Sequence, residues 1–311
     1  MGRRRRSKPT DVDAVLVVDK PAGPTSHDVV QDVRRAAEQS RVGHTGTLDP
    51  AATGVLVVCL GRATKLVQFL QAGAKTYAAT MRLGVTTASQ DADGEVLETV
   101  DAAHIDERGF CEAMATFQGD ITQIPPMVSA VKVDGERLHE KARRGETVAR
   151  EPRPVTIHDL VLDAFEPGAQ PEASFLVTCT AGTYVRTLAA DIGDTLGVGG
   201  SLSGLRRMAN GPFIADEAHT VDQIREAGAA GVSQLALDPV AAIKRALPVV
   251  EVDVSEAKRL VHGGWLPAQG IDGPFAVMCE ETLVAIHADE DAQTRPQLVW
   301  TRPEELAKEL A

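Results

Sequence analysis

One stretch constrains this chain more than any other: Val42-Gly43-His44-Thr45-Gly46-Thr47-Leu48-Asp49-Pro50, followed closely by Thr53-Gly54-Val55-Leu56-Val57-Val58-Cys59-Leu60-Gly61. The second half has the length and the apolar, β-branched composition of a buried strand. The first half is a polar loop anchored to that strand. Gly43 and Gly46 permit backbone angles or close approaches that a side chain would block. Pro50 biases Asp49 away from the helical region, which leaves its carboxylate on an extended or turn segment. An acid on a rigid loop leading into a core strand is well placed for chemistry. Capping a turn through its own side chain is the simpler role for a lone turn acid.

The flanking sequence supplies further elements. Residues 13–18 read as a strand, residues 19–24 as the turn that breaks it, and Ser26 as the N-cap of a helix carrying Val29, Val30 and Val33. Residues 64–69 begin another helix. Residues 75–84 form a strand whose alternation puts Tyr77, Ala79 and Met81 on one face. Residues 86–94 are acidic and turn-rich, but Asp91, Asp93 and Gly94 lack the spacing and terminal Glu of a calcium loop. An amphipathic helix follows at residues 104–117 and a strand at 173–180. The run Gly182-Thr183-Tyr184-Val185-Arg186-Thr187-Leu188 then turns into a helix. Arg186, if buried, needs an acidic partner, and Asp191 is the near candidate in sequence. Residues 216–246 read as a helical connection and Leu247-Pro248 as a boundary. Beyond it lie short strands, a helix over residues 255–261 and a Gly263-Gly264 turn.

A chain of 311 residues suggests roughly two domains. Its net charge of −12 argues against nucleic-acid binding until the distribution is considered. Residues 1–70 carry eleven basic and seven acidic side chains, whereas residues 216–311 carry eight and seventeen. A basic face near the N-terminal half therefore remains available. The Arg3–Arg6 run has no apolar segment behind it, which speaks against a secretory signal, and residues 1–10 read as a disordered basic arm. Cys59, Cys111, Cys179 and Cys279 are widely spaced with no C-x-x-C pair. Neither a metal site nor a disulfide framework is expected, and a reducing cytoplasm is. No heptad or long apolar edge asks for a dimer, so a monomer is expected.

The motifs gain meaning as an ordered set. Asp19-Lys20-Pro21-Ala22-Gly23-Pro24-Thr25-Ser26, Gly43 to Pro50, Ala52-Thr53-Gly54-Val55-Leu56, Gly61-Arg62-Ala63-Thr64-Lys65-Leu66 and Lys75-Thr76-Tyr77 come first. Gly182 to Leu188 and Leu202-Ser203-Gly204-Leu205-Arg206-Arg207 follow. This series resembles the catalytic domain of the bacterial TruB-type tRNA pseudouridine synthases, over most of the first 215 residues. That family isomerises uridine at position 55, in the T-arm of tRNA. The resemblance implies an α+β fold: a mixed, largely antiparallel sheet with flanking helices and RNA-gripping insertions, then a small β-rich, PUA-like C-terminal domain. It implies a catalytic domain over residues 11–247, with a thumb-like insertion near 123–153, and an RNA-binding domain over 248–311.

The same resemblance assigns roles. Asp49 is the catalytic carboxylate, and Arg186 pairs with it in a bidentate contact. Tyr77 stacks on the target base and is a candidate for handling the C5 proton. Leu205 packs against the base, and His44 fills the space the base leaves. Lys20, Lys65 and Tyr184 are counted among the substrate and RNA contacts. On the insertion, Lys132, Lys141, Arg143 and Arg144 are candidates for facing phosphate, and His139 stands where the family usually has Tyr. The reaction needs no cofactor and no metal, and the chain has no Walker loop, G-x-G-x-x-G or zinc spacing. Asp49 is expected to act as a nucleophile at C1′ or C6, or as the base that takes the 2′-proton to give a glycal. Three other readings stay open: a sister enzyme working with guide RNA, a pure RNA-binding protein, and a metal-dependent hydrolase using Asp49 and His44.

Overall fold

The computed structural model describes residues 12–127 and 148–309, with residues 132–133, 136–137 and 144 between them. Its strands run in chain order β1 (Ala14–Lys20), β2 (Val42–His44), β3 (Thr53–Leu60), β4 (Lys75–Leu83), β5 (Val85–Thr87) and β6 (Val96–Thr99). Then come β7 (Gly119–Gln123), β8 (Lys132–Val133), β9 (Glu136–Arg137), β10 (Arg153–Glu166), β11 (Glu172–Cys179) and β12 (Gly200–Asn210). The last are β13 (Phe213–Ile214), β14 (His219–Thr220), β15 (Val249–Glu251), β16 (Pro274–Cys279), β17 (Thr282–Glu290) and β18 (Gln293–Val299).

Among the described residues one large sheet has the order β14-β1-β3-β12-β4-β11-β10-β7, with β2 added to β3 and β13 to β12. Its pairings are antiparallel except β1 with β14 and β3 with β12. The fold is thus the mixed, largely antiparallel α+β arrangement expected.

The uninterrupted apolar run of β3 has a physical reason, because both of its faces are covered. On one, Leu56 and Val58 pack with Leu16 and Val18 of β1 against Val29, Val30 and Val33 of helix Ser26–Ala36 and Ile224 and Val232 of helix Val221–Leu235. On the other, Val55 and Val57 meet Val15, Val17, Phe69, Phe213 and Ile243. Ala276, Met278, Leu283 and Ile286 of the C-terminal strands join that second cluster. At about 1.5–3 kcal/mol for each fully buried Val or Leu, this strand anchors the sheet. The other half of the sheet is covered by helices Glu107–Ala115 and Val185–Thr195, whose Phe110, Met114, Leu188 and Ile192 pack on Met81, Leu83, Phe175 and Val177. As alternation predicted, Tyr77, Ala79 and Met81 share the buried face of β4.

Gly54 marks the closest approach within the sheet. Its φ is +98°, and a Cβ there would lie 2.2 Å from the carbonyl oxygen of Arg207, so only glycine lets β12 come alongside β3. The C-terminal four-stranded sheet, β15-β16-β17-β18, pairs β15 with β16 in parallel and the rest antiparallel.

Some local expectations change. Helix Ser26–Ala36 is capped by Thr25, whose hydroxyl accepts the Asp28 N–H while the Asp28 carboxylate accepts the Thr25 N–H. Ser26, expected as the cap, is freed for another task. Strand β1 does not break at Asp19 but continues through Lys20. The helix expected at residues 64–69 is a 3-10 turn over Gly61–Leu66 followed by one α-turn, Val67–Leu70. No helix among the described residues is long and apolar enough to cross a membrane. The basic arm at residues 1–10, and Lys141, Arg143 and His139, lie outside the described residues, as does the side chain of Lys132. Arg144 is exposed.

Candidate active site

The loop from Thr45 to Ala52 is immobilised by donors directed at its own backbone. Ser26 Oγ accepts the Leu48 N–H at 2.8 Å and donates to the Leu48 carbonyl at 3.0 Å. Asn210 Nδ2 donates to Thr45 Oγ1 at 2.9 Å, and the Thr45 N–H reaches the Val57 carbonyl at 3.0 Å. Arg207 donates from Nη2 to Gly46 O at 3.1 Å and from Nε to Val55 O at 2.6 Å. Lys20 lies beneath the loop, wholly buried, with Nζ donating to the carbonyls of Pro21 (2.9 Å), Pro50 (3.0 Å) and Ala52 (2.7 Å). Burial lowers the Lys20 ammonium to about 8, with Asp49 opposing that shift and Arg207 adding to it. The expectation that Lys20 contacts RNA is therefore corrected, because a fully enclosed ammonium with three carbonyl partners cannot reach a phosphate. It fixes the loop on which Asp49 stands.

Asp49 Oδ2 lies 3.1 Å from Arg186 Nε. The arginine side chain is 5% exposed and the aspartate 42%, so the cation is enclosed while the carboxylate can be reached. Arg186 also turns Nη1 to Asp91 Oδ2 at 3.2 Å and to the Ser89 carbonyl at 3.0 Å. One guanidinium thus bridges two carboxylates. Burial pushes the Asp49 carboxyl above the usual aspartate range, Arg186 opposes this, Asp91 adds to the rise and Lys20 counters it. Asp191, the rival partner, has Asp194 as its charged neighbour, and burial lifts its carboxyl to about 6.

Asp49 and Arg186 open into a cleft of about 400 Å³ lined by His44, Lys75, Tyr77, Tyr184, Leu205 and Arg207 among others. His44 Nδ1 accepts the Gly46 N–H at 3.2 Å, and burial, then Arg207 and His27, hold its pKa below the ordinary histidine value. It is a neutral ring with Nε2 left as donor. Tyr77 stands opposite Arg207 in the β4–β12 register, and burial raises its phenol above the usual value, so it stays protonated. Leu205 is half-buried on the same strand pair, opposite Ala79. Tyr184 occupies the N-cap position of helix Val185–Thr195. Lys65 is exposed and does not line the cleft. No cluster of three metal-ligating side chains occurs among the described residues.

Lys75 and Arg207 were not singled out from the sequence, and Asp91 was weighed only as a calcium ligand and set aside. For Arg207 a signal existed, since two consecutive arginines on a strand must face opposite sides. Arg206 turns outward to Asp19, with both nitrogens 2.9 Å from its oxygens, and Arg207 turns in, 1% exposed. Lys75 is buried with Nζ on the carbonyls of Gln71 and Gly73, and burial lowers it to about 8.

The structure overlays that of the "Crystal Structure of a Cbf5-Nop10-Gar1 Complex" with a TM-score of 0.72 at 26% identity, covering 98% of this chain and 94% of that one. Residues 34–185 match the family described as TruB family pseudouridylate synthase (N terminal domain). Residues 186–241 match the tRNA pseudouridylate synthase B C-terminal domain, and 247–300 the tRNA Pseudouridine synthase II, C terminal. These likenesses define one class of enzyme, the pseudouridine synthases, which are isomerases. Within that class the chain belongs to the TruB family. It is 43% identical to the tRNA pseudouridine synthase B of Thermobifida fusca (strain YX), over 93% of this chain and 98% of that protein. With the protein of the same name from Symbiobacterium thermophilum it shares 48% identity over 85% of this chain and 86% of that one.

Proposed function

We propose that this chain converts uridine to pseudouridine at position 55 in the T-arm of tRNA, with Asp49 as the catalytic carboxylate and no cofactor. The tRNA substrate is supported by the names of its relatives, and the T-arm site by the ordered motifs. The observation that carries the chemical reading is the reachable Asp49 carboxylate, tied to an enclosed guanidinium at the edge of a nucleoside-sized cleft.

A stacked uridine cannot reach such a cleft, so the base is extruded, at a cost of a few kcal/mol. Tyr77 and Leu205 receive its two faces, and the neutral His44 ring takes the space it leaves. The N1–C1′ bond breaks, the uracil turns within the cleft, and C5 joins C1′. The C5 proton then leaves and N1 gains one. Asp49 serves as nucleophile at C1′ or C6, or as the base for the 2′-proton, and Arg186 favours its charged form. Tyr77, kept protonated by burial, is the candidate for proton handling at C5. A cytoplasmic, monomeric enzyme fits the same reading, as do its four free cysteines.

The test is purified protein alone with unmodified tRNA, mapped by carbodiimide treatment and primer extension. A single new stop in the T-loop is expected. Product only in the presence of a guide RNA would favour the guide-dependent reading instead. Asp49→Asn should reduce turnover by at least about 10³-fold while tRNA binding changes little, because the group removed acts in the transition state. Tritium release from C5-labelled tRNA by Asp49→Asn would overturn the assignment.

A further inference from the structure

The helix that carries Arg186 begins without an ordinary cap. Its N-cap residue is Tyr184, extended at φ −103° and ψ 104°, and no side chain of its own closes the first turn. It follows a tight turn at residues 180–183, where the Thr183 hydroxyl folds back to the Thr180 carbonyl at 2.9 Å and Gly182 has φ +93°. No side-chain cap of the helix therefore fixes the direction in which the chain enters it.

The missing restraint comes from Gln123, the last residue of β7, 61 positions earlier. Its Oε1 accepts the Tyr184 N–H at 2.9 Å, and its Nε2 donates to the Tyr184 carbonyl at 3.2 Å. One side-chain amide thus holds both backbone groups of one residue, as a neighbouring strand would. Gln123 is 1% exposed, so water cannot replace either bond. The Tyr184 carbonyl also receives the Leu188 N–H at 3.0 Å, which joins the clamp to the first helical turn. Arg186 stands two residues beyond this point, and Tyr184 itself lines the cleft. Next to Gln123 the chain continues as Ile124-Pro125-Pro126, and Arg150 Nη1 returns to the Pro125 carbonyl at 3.0 Å. The clamp sits where the insertion leaves the sheet.

We infer that Gln123 is a positioning residue for the isomerisation: its amide sets the Tyr184 backbone, and through it the placement of the Arg186 guanidinium against Asp49. This rests on the function proposed above, and it separates Gln123 from any contact with RNA.

The experiment measures single-turnover pseudouridine formation and tRNA affinity, in parallel, for the wild type, Gln123→Met and Gln123→Glu. Gln123→Met keeps the volume and loses both bonds. We expect its rate to fall by about tenfold to a hundredfold, the scale of a small displacement of reacting groups, with tRNA affinity within about twofold of wild type. Gln123→Glu supplies the reading that a general loss of packing cannot. When ionised it has no proton for the Tyr184 carbonyl; when protonated it reproduces both bonds. Burial raises a carboxyl pKa, so the ratio of Gln123→Glu to wild-type rate should climb towards one as pH falls from about 8 to about 5.5. The ratio for Gln123→Met should stay flat. A Gln123→Met chain as fast as wild type, a loss confined to tRNA affinity, or a Gln123→Glu ratio that stays as low as that of Gln123→Met at every pH would each overturn the inference. Wild-type protein that leaves tRNA unmodified would overturn the proposed function, and this inference with it. The two failures are read in different samples.

Discussion

Around the cleft, Lys20, Lys75, Arg186 and Arg207 are all at most 6% exposed, and each contacts backbone carbonyls. In the C-terminal unit, by contrast, the buried polar side chains among the described residues are His287, Thr294 and Thr301, with no lysine, arginine or carboxylate. The cleft gathers charge into low-dielectric surroundings, where each ion loses hydration. The C-terminal sheet leaves its charge in water and holds together by Phe275, Val277, Val284 and their neighbours. The contrast indicates that the cleft is arranged for electrostatic work and the C-terminal unit for packing.

The largest test of that contrast removes the bridging cation. Arg186→Met leaves two carboxylates, Asp49 and Asp91, beside one another with no guanidinium between them. A rate loss of about a hundredfold or more is expected in single turnover. The sign of the pH effect follows from the Asp49 carboxyl, already raised by burial and held back by Arg186. Activity that needs the charged form is present above its pKa and lost as pH falls through it. Removing Arg186 should therefore move the acid limb of the rate profile to higher pH. An unchanged limb would break the view that the cleft's buried charge controls Asp49.

A smaller effect is expected on stability. Because the folded-state pKa of Asp49 lies above its unfolded value, ionisation costs stability, and that cost is fully present above the folded pKa. Asp49→Asn should then unfold at pH 7 no lower than about 2 °C below wild type, and on the sign of the linkage somewhat above it. A drop of about 8 °C in differential scanning calorimetry would mean that the Asp49–Arg186 contact is chiefly structural.

The difference between the regions also bears on what the sequence could disclose. Asp49 and Arg186 were legible together because their motifs are specific, yet the bridging geometry was not. Asp91 belongs to a turn-rich segment whose approach to Arg186 spans 95 positions of chain, and no local pattern encodes that. Lys20 was misread for a related reason: a lysine in a Lys-Pro turn looks solvated until three carbonyls converge on it. Strand β10 was not read from the sequence at all, and bulges between Ile157 and Asp159 and between Leu162 and Ala164 break its alternation. The double covering of β3 was implicit in its composition, but not that the second layer would include Ala276 and Ile286 from the far end of the chain.

The smallest expected effect concerns how the packed unit is fastened to the working one. Arg62 follows Gly61 at the end of β3, in a segment that matched the family motifs, and it does not line the cleft. Its Nη1 lies 3.1 Å from Glu305 Oε1 and its Nη2 3.3 Å from Glu305 Oε2. Nη2 also donates to the Trp300 carbonyl at 2.6 Å, and the guanidinium lies 4.9 Å from the Trp300 ring centre. Its own N–H is held by Asp13 Oδ1 at 2.5 Å. The two charged side chains are 28% and 32% exposed, so solvent screens part of the attraction. The bidentate pairing, the carbonyl bond and the ring contact together make a loss of about 1–2 kcal/mol reasonable for Arg62→Ala. Urea unfolding should report that loss as a lower midpoint, while single-turnover pseudouridine formation on saturating tRNA stays within about twofold of wild type. A rate loss as large as that of Arg186→Met would mean that the two regions do not divide the work, and that the C-terminal unit helps to shape the cleft itself.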